Sequence, residues 1–93
     1  MTLDERIRPD QEVVDTELEG QETVLLHLQT KVYFSLNATG TRIWHGMKQD
    51  LTLQQISRRL QEEFGIEAEL AESSVLRLTG ELCEQKLARR LQD

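Results

Sequence analysis

The sequence predicts an α+β domain, a three-stranded antiparallel sheet followed by three helices. Three observations carry this prediction. Residues 12–36 hold three short runs rich in β-branched, aromatic and aliphatic side chains, with turn-forming stretches between them. From Asn37 onward, apolar residues recur at helical spacing in three blocks. Strands first and helices after, in a chain of 93 residues, suit a winged helix-turn-helix-like arrangement with a small sheet against a three-helix group. A domain of this size has room for one core and little for a deep active site.

Residues 1–11 are charged, contain the only proline and show no period. They read as a flexible N-terminal arm ahead of a single domain over residues 12–93. Residues 12–18 suit a first strand, and Gly20 supplies a positive φ for the turn after it. Residues 22–28 form a second strand with Val24, Leu26 and Leu28 on one face, and His27 pointing out of the half-buried strand. Gln29, Thr30 and Lys31 then turn the chain without the glycine, asparagine or aspartate that tight hairpins favour.

The stretch from Val32 to Met47 organises the rest. Val32, Tyr33, Phe34, Ser35 and Leu36 suit a strand, and Asn37 is a ready N-cap. Ile43, Trp44 and Met47 then share one helix face, which carries the only tryptophan. Sheet and helices should lock together at this junction.

Thr52 and Gln55 match a capping box, with Leu51 and Ile56 as the hydrophobic staple around it. Leu53, Ile56, Leu60 and Phe64 line one face of the second helix, and Gly65 supplies its stop. A third helix starts near Glu69 and runs to about Leu87 or beyond. Glu69 and Glu72 early, with Lys86, Arg89 and Arg90 late, complement its dipole. Ala71, Val75, Leu78 and Leu82 should face the core. A second stripe runs through Leu76, Gly80, Cys83 and Leu87. With Thr79 beside it, its small side chains leave either a close-packing surface for another element or a shallow trough for a partner peptide.

Composition removes several function classes. The formal net charge is −6, and the excess of carboxylates falls in the sheet half, which argues against a nucleic-acid backbone as partner. The doublets Arg58-Arg59 and Arg89-Arg90 read as solvated faces, while Glu67, Glu69 and Glu72 would repel phosphates at the start of the third helix. One cysteine cannot form an internal disulfide, no apolar run reaches a membrane span, and no signal-peptide pattern is present, so a cytoplasmic protein is expected. His27 and His45 lack metal-ligand spacing, and Cys83 among apolar neighbours is a small hydrophobe rather than a nucleophile. No catalytic constellation, metal or cofactor is expected.

Tyr33-Phe34-Ser35-Leu36-Asn37 followed by Thr41-Arg42-Ile43-Trp44 resembles the strand-to-helix signature of PqqD-like proteins. Leu51-Thr52-Leu53-Gln54-Gln55-Ile56 with Leu60, Phe64 and Gly65 is similar to the family's next segment, and Val75, Leu78, Leu82 and Leu87 to its last helix. The resemblance covers residues 12–88. It implies a RiPP recognition element, a non-catalytic module that binds the leader of a ribosomally made precursor peptide as an extra strand on its third strand, against its third helix. The peptide-binding residues so implied are Lys31, Val32, Tyr33, Phe34, Ser35 and Leu36, with Leu76, Thr79, Gly80 and Cys83 on the helix.

Two departures stand out: Lys31 and Lys86 occupy positions where many members have glycine. Within the family, the Tyr33 to Asn37 run with Ile43-Trp44 resembles the free-standing subunits of lasso-peptide pathways more than those of pyrroloquinoline quinone synthesis. The implied partners are a precursor leader and a maturation enzyme, foremost a leader peptidase. The alternatives are a PqqD-type peptide chaperone of pyrroloquinoline quinone biosynthesis and a winged-helix protein- or DNA-binding adaptor. A sheet with an unpaired edge can also dimerise through it, so a monomer or weak dimer is expected.

Overall fold

The computed structural model describes residues 2–90. Along them run β1 (Ile7–Pro9), β2 (Val13–Leu18), β3 (Glu22–His27), β4 (Tyr33–Leu36), α1 (Ala38–Lys48), α2 (Leu53–Phe64), α3 (Ala68–Glu84) and β5 (Ala88–Arg90). The main sheet is antiparallel in the order β2-β3-β4, followed by three helices, as the sequence predicts. No described helix is long and apolar enough to cross a membrane.

The β4–α1 junction forms as its residues dictate. The Asn37 side chain accepts from the Gly40 N–H at 2.8 Å, and Ile43, Trp44 and Met47 are fully buried. The Trp44 indole N–H donates to Asp15 at 2.6 Å, and Lys48 Nζ reaches the same oxygen at 2.8 Å, fastening α1 to β2. Burial raises the Asp15 carboxyl, but the bonds from Lys48 and Trp44 outweigh it and hold its pKa below the ordinary value. A depressed folded pKa contributes stability above the unfolded value, and that contribution is lost as pH falls through the folded value. Asp15→Asn should therefore destabilise the domain at neutral pH, with the deficit shrinking as pH falls through the depressed folded value. Thermal melts of both proteins across pH test this.

Which face of β3 is inside differs from the sequence expectation. Thr23, Leu25 and His27 are the buried residues, whereas Val24 and Leu26 are half-buried and Leu28 is exposed. Thr23 is satisfied inside by a 2.9 Å hydroxyl pair with Thr41 of α1. His27, expected to point out, is 5% exposed.

The N-terminal segment is also corrected. Within the expected arm, β1 pairs with β5, with Ile7 opposite Arg90 and Pro9 opposite Ala88, and Ile7 is in the core. Glu5 accepts two bonds from the Arg90 guanidinium at 2.7 and 2.8 Å, and that pairing holds its carboxyl below the ordinary range. The capping box of α2 forms, with Thr52 Oγ1 accepting from Gln55 N–H and the Gln55 side chain from Thr52 N–H. The carbonyls of Glu5 and Leu3 accept from the Leu53 and Gln54 amides at 2.9 and 2.7 Å. The segment thus satisfies first-turn donors that a side-chain cap cannot reach.

Helix ends follow local backbone chemistry. Gly65 closes α2 in the left-handed conformation. α3 stops at Glu84 rather than running past Leu87, because Lys86 adopts φ +62°. The Leu87 N–H donates to Leu82 O and the Lys86 N–H to Cys83 O, which is a Schellman closure with a lysine in glycine's usual place. Phe64, expected on the buried face of α2, is exposed, while Leu53, Ile56 and Leu60 are buried. α1 and α2 approach closely at Gly46, where an added Cβ would lie 2.6 Å from Ile56.

Ser57 is fully buried in α2, and its hydroxyl has no hydrogen-bond partner among the described residues. Ser57→Ala removes a desolvated group and raises helix propensity, so it should stabilise by about 1 kcal/mol or more. For a domain of this size that is roughly 4–8 °C in Tm. A lower melting temperature would show that the hydroxyl is satisfied in solution.

Candidate functional site

β4 lies at one edge of the sheet and, among the described residues, pairs only with β3. The His27 N–H donates to Val32 O at 3.0 Å, and the register continues through Leu26↔Tyr33, Leu25↔Phe34, Val24↔Ser35 and Thr23↔Leu36. Narrow and wide pairs alternate in an antiparallel ladder, so the backbone groups of Phe34 and Leu36 face β3 and those of Tyr33 and Ser35 face outward. The edge carries no proline or charge to blunt it. It is a template for one more strand.

Side chains along β4 alternate accordingly. Leu36 is buried, Phe34 is half-buried, and Tyr33 and Ser35 are exposed, Tyr33 at 69%. Across from this edge stands α3, which packs mainly on α2 and β5. Between β4 and α3 an open cleft of about 590 Å³ is lined by Phe34, Leu36 and Ile43 on one side and Ser74, Arg77, Leu78 and Glu81 on the other. Its lining is mixed: buried Leu36, Ile43 and Thr23 with half-buried Phe34 and Leu78, and the exposed side chains of Arg77, Glu22 and Glu81. No histidine or cysteine lines it. Among the described residues, no cluster of three or more metal-ligating side chains occurs. Such a cleft can hold an extended peptide whose alternate side chains enter the floor while its backbone pairs with β4.

The sequence-implied residues divide between this cleft and the far side of α3. Phe34, Ser35 and Leu36 line the cleft, and Tyr33 extends the same edge. Lys31 and Val32 belong to the turn before β4, and Lys31 adopts φ +64°, again the conformation usually given to glycine. On α3, the implied Leu76, Thr79, Gly80 and Cys83 do not line the cleft. At about 3.6 residues per turn, Leu76 and Cys83 lie nearly opposite Ser74, Leu78 and Glu81. Thr79 is fully buried, and its hydroxyl donates to Val75 O at 2.7 Å. Leu76 and Cys83 pack against the core, and burial pushes the Cys83 thiol up, with Arg90 and Glu5 nearby. A Cβ added at Gly80 would meet open space, so no described element packs close to it.

Ser74, Arg77, Leu78 and Glu81 are the cleft residues that the small-residue signal missed. The available signal was the border of the amphipathic helix, where Leu78 sits among Ser74, Arg77 and Glu81. A helix that borders a cleft turns that edge, rather than its centre, toward the ligand.

A winged-helix domain presenting a bare strand edge opposite a helix, with no cluster suited to metal chemistry among the described residues, has the architecture of a peptide-recognition module. The family described as coenzyme PQQ synthesis protein D (PqqD) matches residues 22–88. The chain belongs to that family. TbiB1, solved in complex with the TbiA(beta) leader peptide, superposes with a TM-score of 0.83 over 92% of this chain and 99% of its own, at 28% identity. A lasso peptide synthetase B1 complexed with its leader peptide superposes at 0.80 over 89% and 96%, and at 23% identity it bears on the fold alone. No curated protein matches the sequence significantly.

Proposed function

We propose that this protein is a non-catalytic leader-peptide-binding subunit of a lasso-peptide pathway, and that it delivers a precursor to a separate leader peptidase. The leader adds to the outer edge of β4 and sends alternate side chains into the cleft against α3. The observation that carries this reading is the bare β4 edge beside an open cleft lined in part by Phe34, Leu36, Ile43 and Leu78. The 28%-identical TbiB1, solved with a leader peptide, supports it. Main-chain bonds supply affinity and the floor supplies selection, so no catalytic group is required.

The test is a fluorescence-anisotropy titration with the labelled leader of the precursor encoded beside this gene, at two salt concentrations. Tight binding that changes little with salt is expected for strand addition. No binding to the leader, or steeply salt-dependent binding to duplex DNA, would overturn the reading. Delivery is tested separately, by whether the leader peptidase cleaves the precursor faster when this protein is present.

Two substitutions on α3 separate the cleft from the opposite stripe. Leu78→Glu places a charge in the cleft floor and should weaken leader binding by roughly tenfold or more. Gly80→Ala meets open space, so it should leave binding unchanged and stabilise the helix by about 1 kcal/mol. Paired titrations and melts decide; the opposite pattern would return the site to the Leu76, Gly80 and Cys83 face.

A further inference from the structure

His27 ends β3 and is almost completely buried, yet its backbone and ring Nδ1 are engaged. Its ring Nδ1 accepts from the Gln29 and Thr30 N–H groups, each at 3.2 Å. Its backbone N–H donates to Val32 O at 3.0 Å, and its carbonyl accepts from the Lys31 N–H at 2.8 Å. Every polar group of the residue but one is therefore spent on the four residues that lead into β4. The remaining atom, Nε2, lies 3.6 Å from Asp10 Oδ1. Asp10 is itself held, its N–H donating to Leu87 O at 2.9 Å and its side chain accepting from the Glu12 N–H at 2.9 Å.

This turn has no residue suited to make it. It lacks glycine, asparagine and aspartate, and Lys31 sits at φ +64°, a conformation that costs an ordinary side chain about 1–2 kcal/mol. Two of its amides point inward, where they need an acceptor. The His27 ring supplies that acceptor from outside the turn. Because Nδ1 accepts, it carries no proton, so the ring proton sits on Nε2 and faces Asp10.

We infer that His27 is the positioning residue of the peptide-binding edge: its ring, protonated on Nε2 toward Asp10, fixes the turn at residues 29–32 through Nδ1 and so fixes where β4 begins. The outward backbone groups of Tyr33 and Ser35 then meet an incoming strand in one register. The link to peptide binding rests on the strand-addition reading above; the positioning of β4 does not.

The experiment has three readouts on the full chain. Long-range proton–nitrogen correlation of the imidazole should show an unprotonated Nδ1 and a protonated Nε2; a protonated Nδ1 overturns the inference. Amide exchange is then compared in His27→Leu, which removes the acceptor, and His27→Asn, whose Oδ1 stands where Nδ1 stood. Exchange at Gln29, Thr30, Phe34 and Leu36 should quicken about tenfold in H27L, with α2 unaffected, and return close to the unaltered rate in H27N. Equal loss in both variants would reduce His27 to a space-filling role and sink the proposal. Should H27L not fold, the tautomer of the unaltered chain decides.

Anisotropy with the labelled leader should follow the same order, with H27L weakened about tenfold and H27N restored. A leader that fails to bind the unaltered chain would reject the strand-addition reading, while tautomer and exchange still judge His27.

Discussion

Proline at Ser35 is expected to weaken leader binding by roughly ten- to a hundredfold while the domain stays folded. The Ser35 amide faces away from β3 and its side chain is exposed, so the substitution removes no core contact and no bond of the sheet. It removes the donor that an added strand would use and leaves a carbonyl of the bound peptide unpaired. Phe34→Pro is the informative contrast. There the lost amide faces Leu25 and the ring is half-buried, so stability should fall together with binding. Melting curves beside anisotropy titrations tell the two apart. Leader affinity of S35P equal to the unaltered protein would mean that the peptide does not pair with this edge.

Ile7→Ala is expected to destabilise the domain by about 2–5 kcal/mol, the usual cost of emptying a buried aliphatic site. Small domains have total stabilities of about 5–15 kcal/mol, so this single change near the N-terminus takes a large share. Ile7 is 1% exposed, and the segment around it also caps α2 and pairs with β5. Loss of packing there should therefore loosen the start of α2 and β5 together. Chemical denaturation gives the number. A change below about 1 kcal/mol would restore the arm read from the sequence. The cleft contains no residue of β1 or β5, so leader affinity of the folded protein should be unchanged.

These two residues mark the two sides of what was legible. β4, the Asn37 cap and the face of Ile43, Trp44 and Met47 depend on local chemistry. Strand propensity, a side-chain oxygen near orphan amides and helical spacing each act within a few residues. The capping box at Thr52 and Gln55 and the stop at Gly65 are equally local. So is a strand that passes directly into a helix, the signature that carries the family resemblance and, through it, the peptide-binding reading.

What the sequence could not supply is which surfaces meet. On β3, hydrophobicity favours Val24, Leu26 and Leu28, yet the structure buries Thr23 and His27 because Thr41 and the turn amides satisfy them. A buried polar group is stable once it is paired, and its partners here come from elsewhere in the chain. Residues 2–9 show no period because their order depends on β5, on the first amides of α2 and on a core that others build. α3 offers two apolar stripes, and the small residues at Thr79, Gly80 and Cys83 look more like a groove than Ser74, Leu78 and Glu81 do. Only the packing of α3 on α2 and β5 decides which flank remains open toward β4. Local sequence determined β2 to β4, the three helices and the caps at Asn37, Thr52 and Gly65; long-range pairing decided the inner face of the sheet, the order of the N-terminal segment and the wall of the cleft, because each of those requires atoms that are distant along the chain.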